Sequence, residues 1–236
     1  MRGEFVTGTG TEVGKTAVAA VLARTARAAG SRVAVFKPAV SGLDDYLPRA
    51  ERWQNAAELP DHVLLRLAAE SAQSDDEIAP YRYGPPVSPH LAAELAGEPI
   101  DPELLRRAAL AAAEGADVLI CEGVGGFLVP LTRDYLVRDL ARDLGLPVTV
   151  VASPGLGTIN HTLLTIEAVR EAGLEVGRVV LNRWPEAPSL LEVSNRETIS
   201  GLGSVPVEML HHLDLTSPER WPALALSEPE RRLRAA

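Results

Sequence analysis

At 236 residues, 46% apolar and 23% charged, the chain is long enough to bury one substantial core and too apolar to stay disordered. Its formal net charge of −9, with no block of about five consecutive basic residues, argues against nucleic acid and for small ligands. A single cysteine, Cys121, excludes an internal disulfide, and no run reaches the roughly 18 apolar residues of a membrane span, so a soluble cytoplasmic protein is expected.

Short apolar runs alternate with longer helical patterns along the chain. Strands are predicted at Glu4–Thr7, Arg32–Lys37, Asp117–Glu122, Pro147–Ala152 and Gly177–Asn182, with a weaker one near Val205. Helices are predicted at Lys15–Ala29, Asp61–Glu70, Asp101–Glu114, Leu136–Leu144 and Asn160–Glu171. Gly30, Gly115, Gly145 and Gly173 each follow a helical run, where a left-handed cap turns the chain back toward the next strand. The expected class is α/β, a mostly parallel sheet with helices on both faces, as in phosphate-loop NTPases, over residues 1–213 with a tail at 214–236. Two stretches, 41–60 and the proline-rich 71–99, break the rhythm and read as loops at the sheet edge where ligands collect.

Only two of the 23 basic residues are lysines, Lys15 and Lys37. A chain that otherwise writes arginine suggests that these two places need a compact ammonium. Lys15 sits in Gly8-Thr9-Gly10-Thr11-Glu12-Val13-Gly14-Lys15-Thr16, between a strand and a helix, one residue longer between its outer glycines than the common phosphate loop. Backbone N–H groups of such a loop wrap a phosphate, Lys15 neutralises phosphate oxygens, and the Thr16 hydroxyl faces Mg²⁺. A magnesium ion needs one or two carboxylates besides. Glu122, which ends an apolar strand before Gly123-Val124-Gly125-Gly126, is the first candidate, and Asp61, which reads equally as a helix-capping aspartate, is the second.

Taken together, the extended loop, Lys37-Pro38 with Ser41, Ser88-Pro89-His90, Glu122-Gly123-Val124-Gly125-Gly126 and Gly157-Thr158-Ile159-Asn160-His161 resemble the dethiobiotin synthetase family, up to about residue 206. The resemblance implies ring closure of 7,8-diaminopelargonate with CO₂ and MgATP, through a carbamate and a carbamic-phosphoric anhydride, in a homodimer. It implies Lys37, Lys15, Thr11 and Ser41 as catalytic residues, Ser41 also touching substrate, with Gly157 and Asn160 taking the substrate's carboxylate across the dimer interface. Nucleotide contacts are implied for Glu12 to Ala17, counting Val13, Gly14, Lys15 and Thr16, and for Asp61 and Glu122 to Gly125. Further contacts are implied for Asn182, Arg183, Pro206, Val207 and Glu208, with Trp184 either near the base or in the core. Magnesium ligands are implied at Thr16, Asp61 and Glu122. The 41–61 loop is longer than the family's usual spacing, so Asp44 or Asp45 stays open in place of Asp61. The rival reading, a phosphate-loop ATPase switch of the partitioning kind, usually carries a signature lysine early in the loop, where this chain has Thr9 and Gly10.

Overall fold

The computed structural model describes residues 2–45 and 59–227. In chain order its elements are β1 (Gly3–Gly8), α1 (Lys15–Ala28), β2 (Val33–Phe36), β3 (Ala39–Val40), α2 (Asp61–Ala69), α3 (Asp75–Ile78), β4 (Tyr81–Arg82), α4 (Pro89–Ala96), α5 (Pro102–Ala113), β5 (Val118–Glu122), α6 (Val137–Leu144), β6 (Val148–Ala152), α7 (Thr158–Glu171), β7 (Val176–Trp184), α8 (Leu190–Gly203) and β8 (Val207–His211). Six strands form one sheet in the order β2-β5-β1-β6-β7-β8, every pair parallel. β3 and β4 make a separate two-stranded pair.

Alternation along each strand explains why both sheet faces are covered. Val6, Val33, Val35, Val118, Ile120, Val151 and Val180 join α1 and α2 in one apolar cluster. Their neighbours Phe5, Ala34, Phe36, Leu119, Cys121, Val150 and Val179 join α5, α6, α7 and α8 in the other. Trp184 is 7% exposed and belongs to this second core. All four glycines expected as caps have positive φ, from 61° at Gly145 to 88° at Gly30.

The proline-rich stretch is more ordered than expected. Ser74 caps α3 with a reciprocal Ser74–Glu77 box, and Pro89 occupies the first turn of α4, where its missing N–H costs nothing. α8 was absent from the sequence reading although Ser189 and Glu192 form the same box at its start. α7 begins at Thr158 with Gly157 at its N-cap, so Asn160 lies inside the first turn instead of opening the helix. The tail, expected to pack on this domain or extend from it, packs on α1 in its described part. Leu224 is 7% exposed, and its N–H donates to Thr25 Oγ1 at 3.0 Å. Residues 228–236 of that expected tail, and 46–58 of the expected loop, lie outside the described residues.

The segment around Ser227 meets β1 at the amino edge of the sheet. Fully buried Glu4 accepts hydrogen bonds from Arg178, Thr149 and the backbone N–H of Ser227, while Arg178 reaches Glu208 at 3.0 Å. A buried carboxylate left without its guanidinium is expensive. Replacing Arg178 with methionine is therefore expected to destabilise the fold by about 3–5 kcal/mol, read as a lowered urea midpoint at unchanged slope.

Candidate active site

Strand order reverses around β1. From β1 the chain crosses to β2, returns to insert β5 beside β1, and then places β6 on the other side. Such a reversal opens a crevice at the carboxyl ends of the strands. Gly8, Lys37 and Glu122 end or follow β1, β2 and β5 at this edge, so three segments far apart in sequence deliver their groups to one place.

The loop from Gly8 to Gly14 is folded back on itself. Thr9 N–H donates to Val151 O at 2.9 Å, and Lys15 Nζ donates to the Gly10 carbonyl at 2.8 Å. Gly14 has φ 92°, and a Cβ there would lie 1.9 Å from Asn182 Nδ2, so no larger residue fits. That amide donates to Val13 O at 3.0 Å and ties the end of β7 to the loop.

A cluster of charge lies beside the loop. Lys37 Nζ is 2.8 Å from Asp61 Oδ2 and 2.7 Å from Glu122 Oε1, and it is 3% exposed. Thr16 Oγ1 is 3.0 Å from Asp61 Oδ1 and 2.9 Å from Glu122 Oε1, and its one proton serves one of them at a time. Burial pushes the Glu122 carboxyl up, against the pull of Lys37. Burial acts the same way on Asp61, but Lys37 and Thr16 outweigh it and hold that carboxyl below its ordinary value. Burial would lower Lys37, yet Asp61 and Glu122 together raise it, so the ammonium stays charged. Burial lowers Lys15, with Glu122 opposing.

Glu122 Oε2 is buried and has no hydrogen-bond partner. An orphaned carboxylate oxygen beside a second carboxylate and a threonine hydroxyl is the oxygen donor set that Mg²⁺ prefers, so the residues present fit that ion. Asp44 is turned elsewhere. Its carboxylate lies against Gly84, where a Cβ would come within 2.3 Å of Oδ1, and of the two described carboxylates it is Asp61 that meets Thr16 and Glu122. The Asp45 side chain lies outside the described residues.

Both lysines open on one cavity of about 520 Å³. Thr11, Glu12, Gly14, Thr16 and Ser41 line it, as do Asp61, Glu122, Val124, Gly125 and Arg183. Val13, Ala17, Gly123 and Asn182 stand behind this lining, in the loop, the first turn of α1 and the ends of β5 and β7. Ala39, Val40, Gly42 and Pro86 also line the cavity, carried by the β3–β4 pair, and the sequence reading missed them because two-residue strands have no periodicity.

Five expected residues lie apart from it. Gly157 and Asn160 are exposed on the start of α7 and do not line the cavity. Pro206, Val207 and Glu208 also stand apart from the cavity. Val207 pairs with Val179 and Glu208 with Val180, Pro206 O accepts from Val179 N–H, and the Glu208 carboxylate is held by Arg178. They occupy the amino half of β8, whereas Leu210 and His211 pair with Asn182 and Trp184 at the carboxyl edge. His211 Nδ1 lies 3.0 Å from Trp184 O.

Comparison with known proteins agrees with this geometry. A family model described as an AAA domain matches residues 2–213. The ATP-dependent dethiobiotin synthetase BioD of Anaeromyxobacter dehalogenans (strain 2CP-1 / ATCC BAA-258) is 46% identical over 183 residues, 78% of this chain and 77% of the relative. The Bacillus subtilis (strain 168) protein of the same name is 36% identical over 207 residues, 88% and 85% of the two chains. With both lysines and both carboxylates facing one cavity and these relatives matched along most of its length, the chain belongs to the ATP-dependent dethiobiotin synthetase family.

Proposed function

We propose that this chain joins CO₂ to 7,8-diaminopelargonate at the expense of ATP, giving dethiobiotin, ADP and phosphate. The observation that carries the reading is the convergence of Lys15 and Lys37 on one cavity, where a nucleotide's terminal phosphate and a second anion would otherwise repel each other. One substrate amine adds to CO₂ and becomes a carbamate. A carbamate oxygen attacks the γ-phosphorus, the bond to ADP breaks, and the second amine then attacks the carbonyl carbon to close the urea ring and release phosphate.

Little of this requires covalent help from the protein; position and charge are what it supplies. The loop N–H groups and Lys15 hold the phosphates, and Lys15 must leave the Gly10 carbonyl to do so. Lys37 faces the carbamate, with Thr11 and Ser41 donating hydrogen bonds to it from the cavity wall. Thr16, Asp61 and Glu122 would hold Mg²⁺, which supplies charge neutralisation at the phosphate oxygens. Asn182 and Arg183 flank the base, and the carboxyl end of β8 at His211 takes the place expected for Pro206, Val207 and Glu208.

The substrate's carboxylate tail would meet Gly157 to Asn160, where the first-turn N–H groups of α7 favour an anion. Because these residues stand outside the cavity of one chain, a second copy brings them to it. Leu128, Leu156 and Leu164, at 54%, 91% and 56% exposed, supply apolar surface for that homodimer.

Purified protein is expected to release phosphate from ATP only with diamine and bicarbonate both present, measured by coupled phosphate assay; equal release without the diamine would reject the reading. Lys37→Arg is expected to lower kcat by about a hundredfold while ATP affinity by calorimetry stays within about threefold, since the planar guanidinium misplaces one preorganised donor. Wild-type kcat in that variant would take Lys37 out of the reaction.

A further inference from the structure

Asn195 lies midway along α8, and the cavity described above draws none of its lining from that helix. The side chain is buried, 5% exposed, and its amide nitrogen donates to Pro154 O at 2.9 Å and Gly155 O at 3.2 Å. A carboxamide NH₂ has two protons, and both are committed to successive carbonyls of one loop. Gly155 O accepts in addition from Thr158 N–H at 3.2 Å, which closes the turn into α7.

Orientation of this loop follows from those bonds. With two carbonyls drawn inward to α8, the chain passes an outward Leu156 and reverses at Gly157, φ 90°. The next residues are the opening turn of α7, whose N–H groups have no partner within the helix. Had the peptide planes at 154 and 155 been free to rotate, carbonyl oxygens would reach the same surface and repel an anion placed there.

We propose that Asn195 is a positioning residue for the carboxylate tail of the substrate, acting through the 154–157 loop. The inference rests on the reading of Gly157 to Asn160 as the tail's site. It assigns a specificity role to a buried residue on a helix remote from the phosphates. Aspartate at 195 would keep the shape and set a carboxylate against two carbonyl oxygens; serine would take the side-chain donor from both, leaving Gly155 O with Thr158 N–H alone.

The test compares two substrates. One is the diamino acid; the other is 2,3-diaminononane, in which a methyl replaces the carboxylate. Steady-state kinetics with wild type, Asn195→Asp and Asn195→Ser are expected to show KM for the diamino acid raised about tenfold, with kcat and the KM for ATP within about twofold. Turnover of 2,3-diaminononane is expected to be the same in all three proteins. An unchanged KM for the diamino acid in the serine variant, or an equal penalty on both diamines, overturns the proposal, because a merely structural asparagine gives one of those results. If wild type itself does not distinguish the two diamines, the tail site falls and this inference with it. If wild type discriminates and the variants discriminate equally, only the part played by Asn195 falls.

Discussion

A single ammonium held between two carboxylates is the constraint on which the site depends. Lys37 comes from the end of β2, Asp61 from the start of α2 and Glu122 from the end of β5, and the Lys37 ammonium, itself 3% exposed, lies within 2.8 Å of both carboxylates. Burying any one of these charges alone would cost several kcal/mol, so each element is held in place partly by the charge that the others supply. The need for lysine follows from the same geometry. A compact ammonium fits between Asp61 and Glu122 while its flank still lines the cavity, whereas a fork of five N–H donors is bulkier and would crowd that cavity.

The sheet makes this convergence possible. Parallel strands share one carboxyl edge, and the reversal around β1 brings the loop after β1, the end of β5 and the end of β2 side by side. Close approach then demands particular small residues. Gly14 admits the Asn182 amide, and Gly123 sits where a Cβ would come within 2.9 Å of Val137. The amide of Asn182 thereby ties the carboxyl end of β7 to the loop after β1, so a shift at one is felt at the other.

Legibility in the sequence tracked the length scale of the interaction. Strands of the main sheet and most of the helices between them were readable because their apolar periods run over many residues, and the phosphate loop because its groups are contiguous. That Asp61 and not Asp44 meets Thr16 was beyond it, since Asp44 folds against Gly84, 40 positions away. The β3–β4 pair left no trace, each strand being two residues long. α8 did leave one, in Ser189 and Glu192, that periodicity alone overlooked. Where Pro206, Val207 and Glu208 sit along β8 could not be read, because motif spacing carries no strand register. A parallel pairing offset by three or four residues, at about 3.3 Å each, moves a side chain from one edge of a sheet toward the other.

Two buried glutamates at opposite ends of the sheet show how structure and chemistry divide the same residue type. Glu4 has both oxygens engaged, one by Arg178 and Ser227 and the other by Thr149, so nothing is left over to bind. Glu122 spends one oxygen on Lys37 and Thr16 and keeps the other buried without a partner. An unsatisfied carboxylate oxygen costs stability, on the order of 1–3 kcal/mol or more for a charged group, and a fold keeps it only where something else repays that cost. At the amino edge the tail closes over Glu4 and completes a structural joint. At the carboxyl edge Glu122 lines the cavity, and the same desolvation that destabilises its free oxygen strengthens that oxygen's attraction for a cation.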